Sequence, residues 1–101
     1  MEYWDSRLAN FNAGEVFLWG SGGKSVNLLN SVRNSNKISA VIDNNPKRQN
    51  RFVPGTGHAV CGPEILQLEQ PKLVIISNAI YQTEITNQIR ELGLNPEIEI
   101  A

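Results

Sequence analysis

VFLWGSGGKSVNLL, residues 16–29, runs from an unbroken apolar segment into an apolar-periodic one across Gly20-Ser21-Gly22-Gly23-Lys24-Ser25. The first part, within EVFLW at 15–19, is short and rich in β-formers, the pattern of a strand buried on both faces. The second part predicts a helix from Lys24 to Val32, with Val26, Leu28, Leu29 and Val32 as its apolar positions. A strand that turns this sharply into a helix leaves the helix N-terminus facing outward, where free amides and the macrodipole favour an anion.

The rest of the chain repeats the alternation. ISAVI at 38–42 and KLVII at 72–76 read as further buried strands, Ala59 to Cys61 as a short edge strand and EIEI at 97–100 as a closing one. Between them fall a helix from Pro63 to about Leu68 and a longer one started by Ser77 or Asn78. The longer helix carries the stripe Ile80, Ile85, Ile89 and Leu92 and stops at Gly93. Tyr3, Trp4, Leu8 and Phe11 predict a leading helix over residues 2–12. Strands alternating with helices predict an α/β class protein, a Rossmann-like three-layer α/β/α domain with a mostly parallel sheet of about four to five strands. The expectation is one domain over residues 1–101, with a leading helix in 1–13 and the α/β core in 15–101.

Composition narrows the function classes. The hydrophobic share of 41% and charged share of 19% are those of a soluble globular protein. A net charge of −1 with scattered Lys and Arg gives nucleic acid no electrostatic footprint. One cysteine, Cys61, excludes an internal disulfide and a multi-cysteine metal site, and no neighbouring His or cation activates its thiol. No apolar run approaches the roughly 20 residues of a membrane span, and MEYWDSRLANFN is too polar for a signal peptide. The expected location is cytoplasmic, with no membrane partner.

Three loop chemistries compete for the glycine turn. A P-loop, G-x-x-x-x-G-K-[ST], needs its first glycine where Leu18 lies in the strand, so Gly23-Lys24-Ser25 alone is too short to wrap a β-phosphate. The dinucleotide fingerprint G-x-G-x-x-G fits Gly20 and Gly22, with Ser25 in place of the third glycine. Asp43 ends the second strand 20 residues after Gly23, where a carboxylate would accept ribose hydroxyls. A complete dinucleotide domain has two such halves, and this chain has little more than one. S-adenosylmethionine sites use a similar loop and acid on a larger sheet. The bland alternative is a turn that merely joins strand to helix. Lys24 opposes the helix dipole unless an anion sits on the amides of residues 22–25; a solvated lysine is its other reading.

Asn44 to Gly57 forms a long polar loop at the carboxyl edge of the sheet, where open α/β folds bind ligands. It supplies Asn45, Lys47, Arg48, Arg51, Thr56 and, just beyond, His58. His58 has no titratable partner nearby in sequence and receives no proton-transfer role. Asn78 is explained as a helix cap or as a ligand contact, and Trp4 and Trp19 as packing residues.

Taken together, GSGGKS, VIDNNPKRQ, VPGTGH and VIISN resemble the C-terminal domain of the sugar C-methyltransferases that act on nucleotide-linked deoxysugars. The order D-x-N-P-x-K/R-Q followed by V-P-G-T is the most specific element, and the likeness covers about residues 15–90. Gly20, Gly22 and Lys24 match the family's glycine loop; Asp43, Asn45, Pro46, Gln49, Pro54, Gly55 and Thr56 match its second motif. Ser25 and Asn50 stand where the family usually has glycine, and Ser77 where it usually has an aromatic. The resemblance implies a Rossmann-like accessory domain that helps hold a nucleotide-sugar beside a catalytic methyltransferase domain or chain. S-adenosylmethionine would belong to the full enzyme, and no cofactor is assigned to this domain. The expected ligand set is Gly20, Ser21, Gly22, Gly23, Lys24, Ser25, Asp43, Asn45, Arg48, Arg51, Thr56, His58 and Asn78, with no catalytic or metal-binding residue. Alternatives are a stand-alone S-adenosylmethionine- or dinucleotide-binding protein, and an interaction domain with a vestigial site that partners a catalytic chain. An open, glycine-floored crevice on which Asp43 and the basic loop converge favours binding; divergence of Lys24, Asp43 and Arg51, or Phe52 filling the crevice, favours a vestige; and His58 beside Asp43 or another carboxylate favours an enzyme.

Overall fold

The computed structural model describes residues 2–101; Met1, which the leading-helix expectation includes, lies outside the described residues. The apolar runs form five strands, β1 (Val16–Trp19), β2 (Ile38–Ile42), β3 (Val60–Cys61), β4 (Leu73–Ile76) and β5 (Glu97–Ile100). The helices are α1 (Glu2–Leu8), α2 (Gly23–Ser31), α3 (Ile65–Glu69) and α4 (Gln82–Glu91). All strand pairs are parallel and their order is β3-β2-β1-β4-β5, a Rossmann-like α/β arrangement. The chain leaves β1 toward β2 on one side and returns to β4 on the other, so the topological switch point lies at the carboxyl ends of β1 and β4.

Alternation along the strands divides the core into two layers. Val16, Leu18, Ile38, Val41, Leu73 and Ile75 pack under Trp4 and Leu8 of α1 and Leu28 and Leu29 of α2. Phe17, Trp19, Ala40, Ile42, Val74 and Ile76 pack under Leu66 of α3 and Ile85 and Ile89 of α4. No helix joins β2 to β3; Val53 of the long loop is buried in the first layer instead.

Two expected helices differ in detail. The leading helix stops at Leu8, short of Asn12, and Phe11 packs beyond it beneath the Arg7 guanidinium, 5.2 Å from the ring centre. Ile80 leaves the apolar stripe of α4: Asn78 caps a 3-10 turn at Ala79–Tyr81, and α4 begins only at Gln82. That turn rotates Ile80 outward to 78% exposure. Asn50, where the resembling family has glycine, takes a left-handed φ of 63°, a conformation asparagine tolerates better than most residues. Among the described residues no helix is long and apolar enough to cross a membrane.

Glu15, just before β1, gives the fold a pH sensitivity. Its carboxylate accepts the Asn12 N–H at 2.6 Å and pairs with Lys72 at 3.0 Å. The Asn12 N–H first and the Lys72 ammonium second hold its pKa below the ordinary value. A carboxyl lowered in the fold stabilises it above the unfolded pKa, about 4.3, and that contribution is lost as pH falls through the folded value. Urea midpoints measured between about pH 5 and pH 3 should therefore fall less steeply in Glu15→Gln than in the wild type; identical slopes would show that the Asn12 and Lys72 contacts do not hold the carboxylate.

Candidate functional site

The β1–α2 turn is shaped by what glycine permits. Gly20 has φ +117°, and its N–H donates to the Ile42 carbonyl at 2.8 Å, tying the turn to the end of β2. Gly22 is the N-cap of α2 and offers no side chain to cap it, and the first turn holds no acidic residue. No protein acceptor among the described residues meets the amides of Gly23 and Lys24. The positive end of α2 is thus left open toward the carboxyl edge.

Asp43 emerges at the end of β2 with its own N–H bonded to the Cys61 carbonyl at 3.0 Å. Its carboxylate accepts the Ser21 hydroxyl and, at 2.9 Å, the Asn45 N–H. Asn45 Oδ1 in turn accepts the Lys47 N–H at 3.0 Å, and Gln49 Nε2 donates to the Asp43 carbonyl at 2.9 Å. The D-N-N-P-K-R-Q stretch is therefore a self-bonded loop whose bonds fold it back over the strand end. It presents Arg48, whose guanidinium lies 3.4 Å from Ser21 Oγ.

These pieces border one crevice of about 860 Å³ at the switch point. Of the residues expected from the sequence, Gly20, Ser21, Gly22, Gly23, Lys24, Asp43, Asn45, Arg48 and Asn78 line it. Lys24 and Arg48 enter no ion pair among the described residues, so their charge is available to a ligand.

Four expected residues lie elsewhere. Ser25 is fully buried behind the turn, its hydroxyl without a partner; a small side chain fits where the fingerprint has its third glycine. Arg51 lines a smaller adjoining cavity and so does not converge with Lys24 and Asp43, the separation expected of a vestigial site; from the same loop it is Arg48 that reaches the crevice. Thr56 and His58 bond each other, Oγ1 to Nδ1 at 2.7 Å, and His58 Nε2 meets the Ser35 carbonyl at 2.9 Å. Both ring nitrogens of His58 have a partner. His58 thus anchors its loop and faces no carboxylate.

The opposite wall went unread in the sequence. Tyr81, Glu84, Ile85 and Gln88 project from α4 and the turn before it, Trp19 floors the crevice, and Asn44 joins them. Asn44 and Gln88 exchange two amide hydrogen bonds, at 3.0 and 2.8 Å, clasping the β2 loop to α4. A signal existed within α4: positions 84, 85 and 88 follow helical spacing and so share one face. Ser77, behind them, is buried and donates its hydroxyl to the Trp19 carbonyl at 3.2 Å.

Phe52 does not fill the crevice; it projects from the long loop at 70% exposure. Burial first, and then the charge of Glu64, push the Cys61 thiol up, away from a reactive thiolate. Among the described residues no group of His, Cys, Asp and Glu is arranged to hold a metal ion.

An open helix terminus, two cations without an ion pair among the described residues, and a carboxylate face one cavity. No curated protein matches the chain. Residues 8–95, nearly the whole length, match the model of the C-methyltransferase C-terminal domain, and the protein belongs to that family.

Proposed function

We propose that these 101 residues act as one domain that binds a nucleotide or nucleotide-sugar in the switch-point crevice, as an accessory to a catalytic methyltransferase domain or chain. The observation that carries this is the convergence of the uncapped α2 N-terminus, Lys24 and Arg48 on a cavity that Asp43 also borders. A diphosphate on the amides of Gly23 and Lys24 would gain the helix dipole and two cations. Asp43, accepting from Ser21 and Asn45 on one lone pair of each oxygen, keeps acceptor capacity for a ribose or sugar hydroxyl. The methyl donor would be held by the catalytic partner, with this domain not catalytic alone.

Thermal denaturation with dTDP, UDP, S-adenosylmethionine and NAD tests the reading. dTDP or UDP at about 100 times its dissociation constant should stabilise the fold by about 2.7 kcal/mol, a shift of several degrees for a domain of this size. Asp43→Ala should weaken that response at least about tenfold in ligand concentration, roughly one charge-assisted hydrogen bond. Because Asp43 also ties the loop together, Lys24→Ala is the cleaner variant: its side chain makes no bond that the fold needs. Equal responses in wild type and Lys24→Ala, or no response to any ligand, would remove the proposal; a response to S-adenosylmethionine or NAD alone would replace it with a stand-alone cofactor-binding protein.

A further inference from the structure

Beside the crevice lies a second cavity of about 230 Å³, and it shares Ser21 and Arg48 with the first. Its other walls are Val26 from the first turns of α2, Val60 of β3, and Arg51, Phe52, Val53 and Pro54 from the long loop. We propose that this cavity is the base subsite: the nucleobase stacks against Phe52, while the diphosphate sits on the α2 amides. The inference rests on the nucleotide reading above and assigns the ligand its direction across the glycine loop.

The wall is built rather than incidental. Val53 is buried and donates its N–H to the His58 carbonyl at 2.8 Å, and Phe52 bridges Ala59 in antiparallel fashion, making a small hairpin of the loop. Asn30 Nδ2 of α2 donates to the Pro54 carbonyl at 3.1 Å and to the Val26 carbonyl at 2.9 Å, docking the hairpin on the helix. Gly55 lies so close to Asn30 that a Cβ there would strike the Asn30 carboxamide, and its φ of +92° suits glycine. The V-P-G-T motif is therefore structural. It holds Phe52 beside the helix terminus that would take the phosphate, with Phe52 itself largely exposed.

Chemistry sets the orientation. On this side of Ser21 the walls are aliphatic and aromatic, edged by two guanidiniums that enter no ion pair among the described residues. Such walls suit a planar heteroaromatic ring, which stacks on Phe52 or a guanidinium and accepts hydrogen bonds at its edge. On the other side the crevice offers Glu84 and the Asn44 and Gln88 carboxamides, groups suited to the hydroxyls of a sugar. A ligand with its base at Phe52 would carry its sugar toward α4.

Amide-resolved NMR titrations with dTDP, UDP and inorganic pyrophosphate distinguish the outcomes. The nucleotides should shift Val26, Phe52 and Val60 together with Gly22 to Ser25, whereas pyrophosphate should shift the glycine loop alone. Phe52→Ala, at an exposed position that leaves the core intact, should weaken nucleotide binding about tenfold, as loss of one base–aromatic stack does. It should leave pyrophosphate affinity unchanged, and Phe52→Trp should restore the nucleotide. If dTDP or UDP binds with the Lys24 dependence but Phe52→Ala is silent, or if Tyr81 and Gln88 shift in place of Phe52, the base subsite is overturned while the nucleotide reading stands. If neither nucleotide binds, both fall.

Discussion

Replacing Phe17 with Ala should cost about 3–5 kcal/mol, the range for a large aromatic removed from a packed core. Phe17 lies on β1, the middle strand, 1% exposed, with β2 on one side and β4 on the other. Its register partners are Ala40 and Val74, both smaller, so the ring covers space that neither neighbour fills. Above it sit Leu66, Ile85 and Ile89 from α3 and α4. Three hydrogen-bonded strands cannot close on the void, and the full cavity penalty should remain. For a domain worth about 5–15 kcal/mol, that is a large share of its stability. Urea unfolding monitored by circular dichroism measures it, and Phe17→Leu should cost well under half as much. A Phe17→Ala loss below about 1.5 kcal/mol would mean that this layer relaxes freely, contrary to the packing described.

The same burial explains why the sheet was legible in the sequence. VFLW and LVII are buried at every position and carry no polar residue, and in ISAVI only Ser39 breaks the apolar run, at the one exposed position of β2, so the three runs stood out in the sequence. The parallel α/β class followed from the helices between them. Strand order did not follow, because each central strand is apolar on both faces and shows no preferred neighbour. The start of α4 was misplaced for a local reason: Asn78 does cap, accepting the Ile80 N–H at 3.2 Å, but it caps a 3-10 turn. A cap residue announces a helix start without giving the helix type.

The site was half legible. The glycine turn and Asp43 carry their geometry in backbone position, which a strand–turn–helix pattern fixes. The roles of Thr56, His58 and Arg51 depend on how a long loop docks, and that rests on Asn30 reaching Pro54 and His58 reaching Ser35, contacts between residues more than 20 apart. The α4 wall likewise depends on the return of the chain to β4 beside β1. Motif residues thus fall into two groups. Asp43 and Arg48 border the crevice, while Pro54, Gly55, Thr56 and His58 hold the loop that shapes its neighbour.

Gly20→Ala is expected to cost about 2–3 kcal/mol and to alter the crevice floor at the same time. Two terms add. A left-handed φ of +117° is penalised once a Cβ is present, by about 1–2 kcal/mol. That Cβ would also stand 2.5 Å from Ser77 Oγ, so the hydroxyl must leave the Trp19 carbonyl it now bonds, which costs about 1 kcal/mol. A double-mutant cycle with Ser77→Ala separates them. Without the hydroxyl the new methyl has no close neighbour, since Ser25 Oγ and Ser77 Cβ lie at ordinary distances of 3.6 and 3.8 Å, so the second Gly20 cost should shrink to the backbone term alone. Urea midpoints supply all four corners of the cycle. A coupling near zero would place the whole cost in the backbone and clear Ser77 of any steric role. A Gly20→Ala loss below about 0.5 kcal/mol would contradict the strained turn itself. Thermal shifts with dTDP on the same proteins then read function: Gly20 and Trp19 floor the crevice together, so a methyl added there should weaken the nucleotide response even in the double mutant, where stability has partly recovered.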